Sequence, residues 1–166
     1  QHVVMRENAA TFLHHMPDEF VARLDRDETP VRKGYADCPK EWRWVDKPGN
    51  SGVLLRVVGP DKIWPRTIEA QLQSGNAGDF WLMDGARLDT DPARVDPKAA
   101  NHRLKLKAAE KPVGEWNLYE ITMDGSRVLL KVNGEVVNEG TGAEEVAGKI
   151  ALQSEGAPVE FRNIRL

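Results

Sequence analysis

The sequence predicts an antiparallel β-sandwich, on three observations. Short runs rich in Val, Leu, Ile and aromatic residues recur from Glu41 onward, several alternating apolar with polar, the period of a half-buried strand. Most of the 14 glycines fall between these runs, where turns need them. Asp124-Gly125 and Asn133-Gly134 stand between alternating segments, the signature of two-residue hairpins. The chain has 166 residues, enough for one domain with a sizeable core. It is 40% hydrophobic and 30% charged, with a net charge of −3. So near neutrality it has no global field to draw in a nucleic-acid backbone or an anionic membrane. No apolar run approaches the roughly 18–20 residues that cross a bilayer. The single cysteine, Cys38, excludes an internal disulfide and any Cys-cluster metal site.

Residues 1–40 read differently from the rest. Phe12, Leu13, Met16, Phe20, Val21 and Leu24 recur at spacings of three and four between Glu7 and Asp27, an amphipathic helix pattern interrupted at Pro17. Pro30, Gly34 and Pro39 then punctuate a loop. The expected organisation is therefore an atypical segment over 1–40, part helix and part loop, followed by a sandwich over 41–166. No basic stretch followed by an apolar one marks a signal peptide.

From Glu41 the elements come in order. Glu41–Val45 alternates, and Pro48-Gly49-Asn50 turns the chain. Gly52–Val58 is a Val/Leu-rich strand closed by Gly59-Pro60. Thr67–Gln73 places Thr67, Glu69, Gln71 and Gln73 on one face and Ile68, Ala70 and Leu72 on the other. A Gly-rich loop over 74–78 leads into the apolar run Phe80–Met83. Residues 84–114, rich in turn formers and basic side chains, read as a long surface excursion. Trp116–Met123, Arg127–Val132, Glu135–Glu139, Lys149–Gln153 and Val159–Leu166 complete a meander of strands.

The row Glu69, Gln71 and Gln73 carries the main functional signal. Its bland reading is a solvated outer face; its functional reading is the polar floor of a concave sheet that holds a hydroxyl-rich ligand. Alternation lets Arg56 and Gln153 share that face, and the Pro-Gly-Asn turn adds Asn50. Amide, carboxylate and guanidinium groups match paired sugar hydroxyls, and indoles stack on the apolar faces of pyranose rings. Trp64 and Trp81, in or beside loops, are the tryptophans placed to do so. His102 is a reserve acid or base. His14-His15 point to different faces of the expected helix and make a poor metal site. No ligand spacing specifies a metal, although a divalent ion fits the acidic loops, and no cofactor motif is present. Gly-x-Ser-x-Gly, His-Glu-x-x-His and P-loop signatures are absent. So is the Glu-x-Asp-x-x-Glu strand of laminarinase-like glycosidases.

Several strings, jointly, carry a resemblance. They are Glu41-Trp42-Arg43-Trp44, Pro48-Gly49-Asn50-Ser51-Gly52-Val53 with Arg56, Ile68-Glu69-Ala70-Gln71-Leu72 and Gly75-Asn76-Ala77-Gly78-Asp79-Phe80-Trp81. Gly114-Glu115-Trp116-Asn117, Val132-Asn133-Gly134-Glu135, Leu152-Gln153-Ser154-Glu155-Gly156 and Phe161-Arg162-Asn163-Ile164 follow in order. From Glu41 to Leu166 the chain resembles the 3-keto-disaccharide hydrolase domain family, a concanavalin-like jelly roll. The resemblance implies two antiparallel sheets with a concave binding face. It also implies an oligosaccharide or glycoside substrate and a periplasmic or extracellular location. The activity it implies is cleavage of glycosides whose sugar carries a ketone at C3: a base removes the acidified C2 proton and the group at C1 is expelled. That chemistry needs a base, a positive group near the enolate oxygen and hydroxyl donors, not two flanking carboxylates. Carried onto this chain, Glu69 is the acid/base and Arg56 stabilises negative charge. Asn50, Gln71 and Gln153 bind hydroxyls. The alternative is a carbohydrate-binding module using the same face without catalysis. Residues 1–40 depart from the family pattern, which opens with further strands. Either the sandwich lacks these edge strands, leaving an open edge through which copies of the chain could associate, or the N-terminal region replaces them in another way.

Overall fold

The computed structural model describes residues 2–5, 40–60 and 62–162. Among them are twelve strands. In chain order these are β1 (His2–Met5), β2 (Lys40–Trp44), β3 (Gly52–Val58), β4 (Arg66–Gln71), β5 (Phe80–Met83), β6 (Val95–Asp96) and β7 (Ala99–Arg103). The remainder are β8 (Asn117–Asp124), β9 (Arg127–Val132), β10 (Glu135–Gly140), β11 (Lys149–Leu152) and β12 (Val159–Arg162). They form two six-stranded sheets, ordered β1-β12-β2-β8-β9-β10 and β11-β3-β4-β5-β7-β6. Every pairing is antiparallel. The expected antiparallel β-sandwich is therefore what the chain forms.

The core lies between the sheets. Trp42, Trp44, Tyr119, Leu130, Val132, Val159 and Phe161 of the first sheet meet Val53, Leu55, Ile68, Ala70, Phe80, Leu82 and Leu152 of the second. The Trp42 and Tyr119 rings tilt against each other at 5.5 Å between centroids. Full burial of each large apolar side chain contributes about 1.5–3 kcal/mol, so this layer is the main stabilising feature. It also fixes register. With Ile68 and Ala70 turned inward, Glu69 and Gln71 must face outward, because a slip of one residue would exchange the two sets. A smaller cluster of Leu54, Val57 and Ala151 lies on that outer face.

Two expectations need correction. Residues 84–114 are not only a surface excursion. A 3-10 turn over Pro92–Arg94 leads into β6 and β7, and β7 pairs with β5 to extend the second sheet. Weak hydrophobic periodicity hid this short edge pair. At the other end, His2–Met5 pairs with β12, opposite Val159–Arg162, so of the two alternatives the N-terminal region supplies an edge strand and the sheet is not left without one. The helix expected between Glu7 and Asp27 lies outside the described residues, as does Cys38.

Candidate functional site on the outer face of the second sheet

Strand register places the candidate residues in rows. Leu54 pairs with Glu69, Glu69 with Trp81, and Trp81 with His102, while Ala151 pairs with Leu54. One row thus runs Ala151, Leu54, Glu69, Trp81, His102 across five strands. Two residues along, Gly52 pairs with Gln71. The Gln153 amide donates to the Gly52 carbonyl, and the Gln71 amide to the Asp79 carbonyl. The second row is therefore Gln153, Gly52, Gln71, Asp79. A bridge between Asn50 and Glu155 begins the third. Since alternate residues share a face, all three rows lie on the outer side. Gln153 and Trp81 stand three strand spacings apart, about 14 Å at about 4.8 Å each. Between them the floor is Gly52 and Glu69.

Glu69 is the chemical centre. It is 2% exposed, and its Oε1 has no hydrogen-bond partner among the described residues. Burial, with the Glu155 carboxylate adding to it, pushes its pKa up from 4.5 to about 8. Desolvation disfavours the charged form, and a second negative charge does the same. Gly52 makes room for this carboxyl, since a Cβ there would overlap its Oε1. The φ of Gly52 is not left-handed, so space rather than backbone conformation requires the glycine.

Gln71 is 4% exposed and its amide is oriented. Its Oε1 accepts from Leu72 N at 2.9 Å and from Gln73 N at 3.0 Å. Two backbone donors on the oxygen leave Nε2 as the end that can reach a ligand, so Gln71 is a fixed donor. Gln153 is also 4% exposed, and its Oε1 is buried without a partner. Asn50 donates through Nδ2 to Glu155 Oε2 at 2.8 Å and keeps a buried, unpartnered Oδ1. Buried polar atoms without partners are uncommon and costly, on the order of 1–3 kcal/mol each. Three of them here belong to residues on the same outer face, Asn50, Glu69 and Gln153. The solvated-face reading of the Glu69, Gln71 and Gln73 row holds only for Gln73, which is exposed, while Glu69 and Gln71 are buried.

Trp81 is half-buried and stacks on His102, with centroids 4.1 Å apart and the rings 6° from parallel. His102 Nε2 meets Asp79 Oδ2 and Nδ1 meets Asp96 Oδ2, both at 2.9 Å. Both ring nitrogens are thus engaged.

The structure does not bring Arg56 or Trp64 to this face. Arg56 sits where the β3–β4 pairing skips between Leu55 and Val58, with φ +49°. The extra residue turns its side chain away from the Glu69 row. Its guanidinium donates to the carbonyls of Glu144 and Gly125, the latter in the β8–β9 turn of the other sheet. Trp64 is 46% exposed in the β3–β4 loop, at the end where Val58 pairs with Arg66, remote from the Gly52–Gln71 end. Asn50, Glu69, Gln71, Gln153, Trp81 and His102 do share the outer face. Sequence reading missed Glu155, Asp79, Asp96 and the space at Gly52. The one available signal was that Asp79 and Glu155 keep the alternation of Trp81 and Gln153. Among the described residues no group of three or more His, Cys, Asp or Glu side chains is arranged to hold a metal ion. Among them, too, no helix is long and apolar enough to cross a membrane.

Comparison with known proteins gives the fold its relatives. It is similar to that of a candidate glycosyl hydrolase from Parabacteroides distasonis ATCC 8503, with a TM-score of 0.54 and 21% identity over 76% of this chain and 68% of that one. A second candidate glycosyl hydrolase from the same strain aligns at a TM-score of 0.51 and 20% identity, covering 76% and 74%. The carbohydrate-binding module CBM66 from Bacillus subtilis aligns at 0.49 and 12%, covering 76% and 70%. At such identities the likeness speaks for the fold alone. No curated protein matches the chain. The family model described as the 3-keto-alpha-glucoside-1,2-lyase-like domain matches residues 30–166, starting upstream of the Glu41 from which the sequence strings run. The chain belongs to that domain family.

Proposed function

We propose that this protein cleaves glycosidic bonds of sugars oxidised to a ketone at C3, using Glu69 as its acid/base. The observation that carries the reading is the buried Glu69 carboxyl with its unpartnered Oε1, on a floor flanked by Gln71 and Gln153. A carboxyl near pKa 8 is well matched to proton transfer close to neutral pH. Ionised, it takes the proton from C2, which the C3 ketone acidifies. The C1–O bond then breaks as the C1=C2 bond forms, and Glu69 returns its proton to the departing oxygen. Water adds to the resulting enone to complete a hydrolysis. Negative charge gathers on the C3 oxygen in the transition state, and the Gln71 Nε2 donor suits that oxygen. This role passes to Gln71 because Arg56 is tied to backbone carbonyls of the other sheet. Gln153 and Asn50 remain to bind hydroxyls, and Trp81, paired with Glu69 on the next strand, offers a ring for the sugar to pack on. An exported location, as the resemblance implies, belongs to the same proposal.

The test is release of the leaving alcohol from a 3-keto-glucoside. The wild-type protein should release it, and Glu69→Gln should lose turnover by at least 100-fold, the lower range for removing a general acid or base. Binding of unmodified oligosaccharide with no product from the 3-keto substrate would instead identify a carbohydrate-binding module.

A further inference from the structure

The outer face contains an ion cluster that the elimination does not use. Asp79, Asp96 and His102 come from the β4–β5 connection, β6 and β7, three separate stretches of chain. Asp79 is 2% exposed and His102 is 8% exposed. The cluster is tied down on all sides. Asp79 Oδ1 accepts from Lys105 N at 2.8 Å, with Lys105 Nζ at 3.6 Å. Asp96 Oδ1 accepts from Lys98 N at 2.8 Å. That bond, with His102, holds the Asp96 carboxyl below its usual range. Between the two carboxylates, with both nitrogens bonded, the imidazole can neither rotate nor tilt. Its flat face is the surface on which the Trp81 indole rests.

We propose that Asp79, His102 and Asp96 form a clamp whose task is to set the plane of Trp81 as the wall against which a pyranose ring packs beside Glu69. His102 is then a positioning residue and not the reserve base. Three facts support this. A base needs a free nitrogen lone pair facing the substrate, and neither ring nitrogen offers one. His102 lies on the far side of Trp81 from Glu69, because the row runs Glu69, Trp81, His102. The stack occupies one face of the indole, and Glu69 pairs with Trp81 on the neighbouring strand, on the side away from His102. A ring bonded to a carboxylate at each nitrogen is fixed in its plane, and the near-parallel stack carries that plane to the indole. An otherwise mobile Trp at a half-buried position would lose conformational freedom on binding sugar; the clamp takes that loss during folding.

This inference rests on the carbohydrate reading, so its test has one arm that needs no sugar. An imidazole stacked face to face on an indole alters the indole's emission. Replacing His102→Gln should therefore change tryptophan emission in the wild-type background and leave it unchanged in a Trp81→Phe background. Equal emission with and without His102 would overturn the clamp. The second arm is kinetic, on a 3-keto-glucoside. His102→Gln should raise KM about tenfold, the equivalent of about 1.4 kcal/mol, with kcat within about threefold of wild type. The double variant with Trp81→Ala should be no worse than Trp81→Ala alone, since residues acting as a unit are non-additive. A kcat loss of 100-fold or more, the range for a general base, or additive effects in the double variant, would overturn the proposal. Asp96→Asn, conservative and at a partly exposed carboxyl, should show the same emission and KM trends more weakly, and no such trend would count against the clamp. If no sugar is bound or cleaved, the carbohydrate reading falls and the emission arm alone decides the clamp.

Discussion

Glu69 shows how one residue's environment sets its chemistry. The same carboxyl on a solvated strand would be ionised at neutral pH; 2% exposed and near Glu155, it titrates at about 8. That shift is also a statement about stability. Between pH 4.5 and about 8 the folded protein keeps a proton that the unfolded chain has released, so this group lowers stability progressively as pH rises through the window. At pH 7 the cost is about 3 kcal/mol at 1.36 kcal/mol per unit. Glu69→Gln removes the charge, so it should raise the midpoint of thermal unfolding at pH 7 and above, with the gain vanishing below about pH 4.5. Parallel melting-temperature curves for the two proteins across pH 4–9 would contradict the burial account. The importance of Glu69 was legible in the sequence, because three long polar side chains on one face of an apolar-backed strand are unusual. Its protonation was not, since it depends first on burial under the assembled face and then on Glu155, 86 positions away in the chain. Arg56 shows the opposite failure. Strict alternation puts it on the Glu69 face, but one extra residue in β3 sends it to the other sheet.

At the scale of elements, the β3–β4 hairpin builds the floor and Gly52 is its key residue. The strands themselves are readable from their runs of Val, Leu and Ile, and the bounds of β3, β5 and β9 agree with the sequence pattern. The reason for a glycine inside a strand is not readable, because it lies in the neighbouring strand's carboxyl. Gly52→Ala is compatible with the backbone but would push the Glu69 carboxyl aside. It should lower turnover by about 100-fold, the effect of misplacing a reacting group by about 1 Å, while leaving the β-sheet circular dichroism unchanged. Turnover at the wild-type level would show that the position of Glu69 does not matter. Strands β6 and β7 mark where pattern reading stopped. They are short, hold few apolar residues and form through pairing at the sheet edge, so local propensity carries little of their signal. They nevertheless carry Asp96 and His102, and with them the clamp on Trp81.

For the molecule as a whole, the two-layer sandwich was the most legible level. Its alternation and turn residues all point to one architecture, and such agreement across levels is what makes a fold readable. The site was legible by halves. Glu69, Gln71 and Gln153 could be placed on one face by counting residues in twos, while Asn50 and Trp81 entered only from a turn and a loop. Glu155, Asp79 and Asp96 required strand order, which non-local pairing alone supplies. The outer face that results combines a buried carboxyl, oriented amides and a fixed indole, while a continuous apolar layer on the inner side holds the sheet in place. The central claim is that Glu69 moves the C2 proton of a sugar bearing a C3 ketone. Deuterium wash-in at C2, followed by proton NMR of a 3-keto-glucoside in heavy water, tests it most directly. The account predicts that the C2 proton signal disappears with the wild-type protein and persists at the buffer rate with Glu69→Gln. Equal wash-in with both proteins, or none with either, would contradict it.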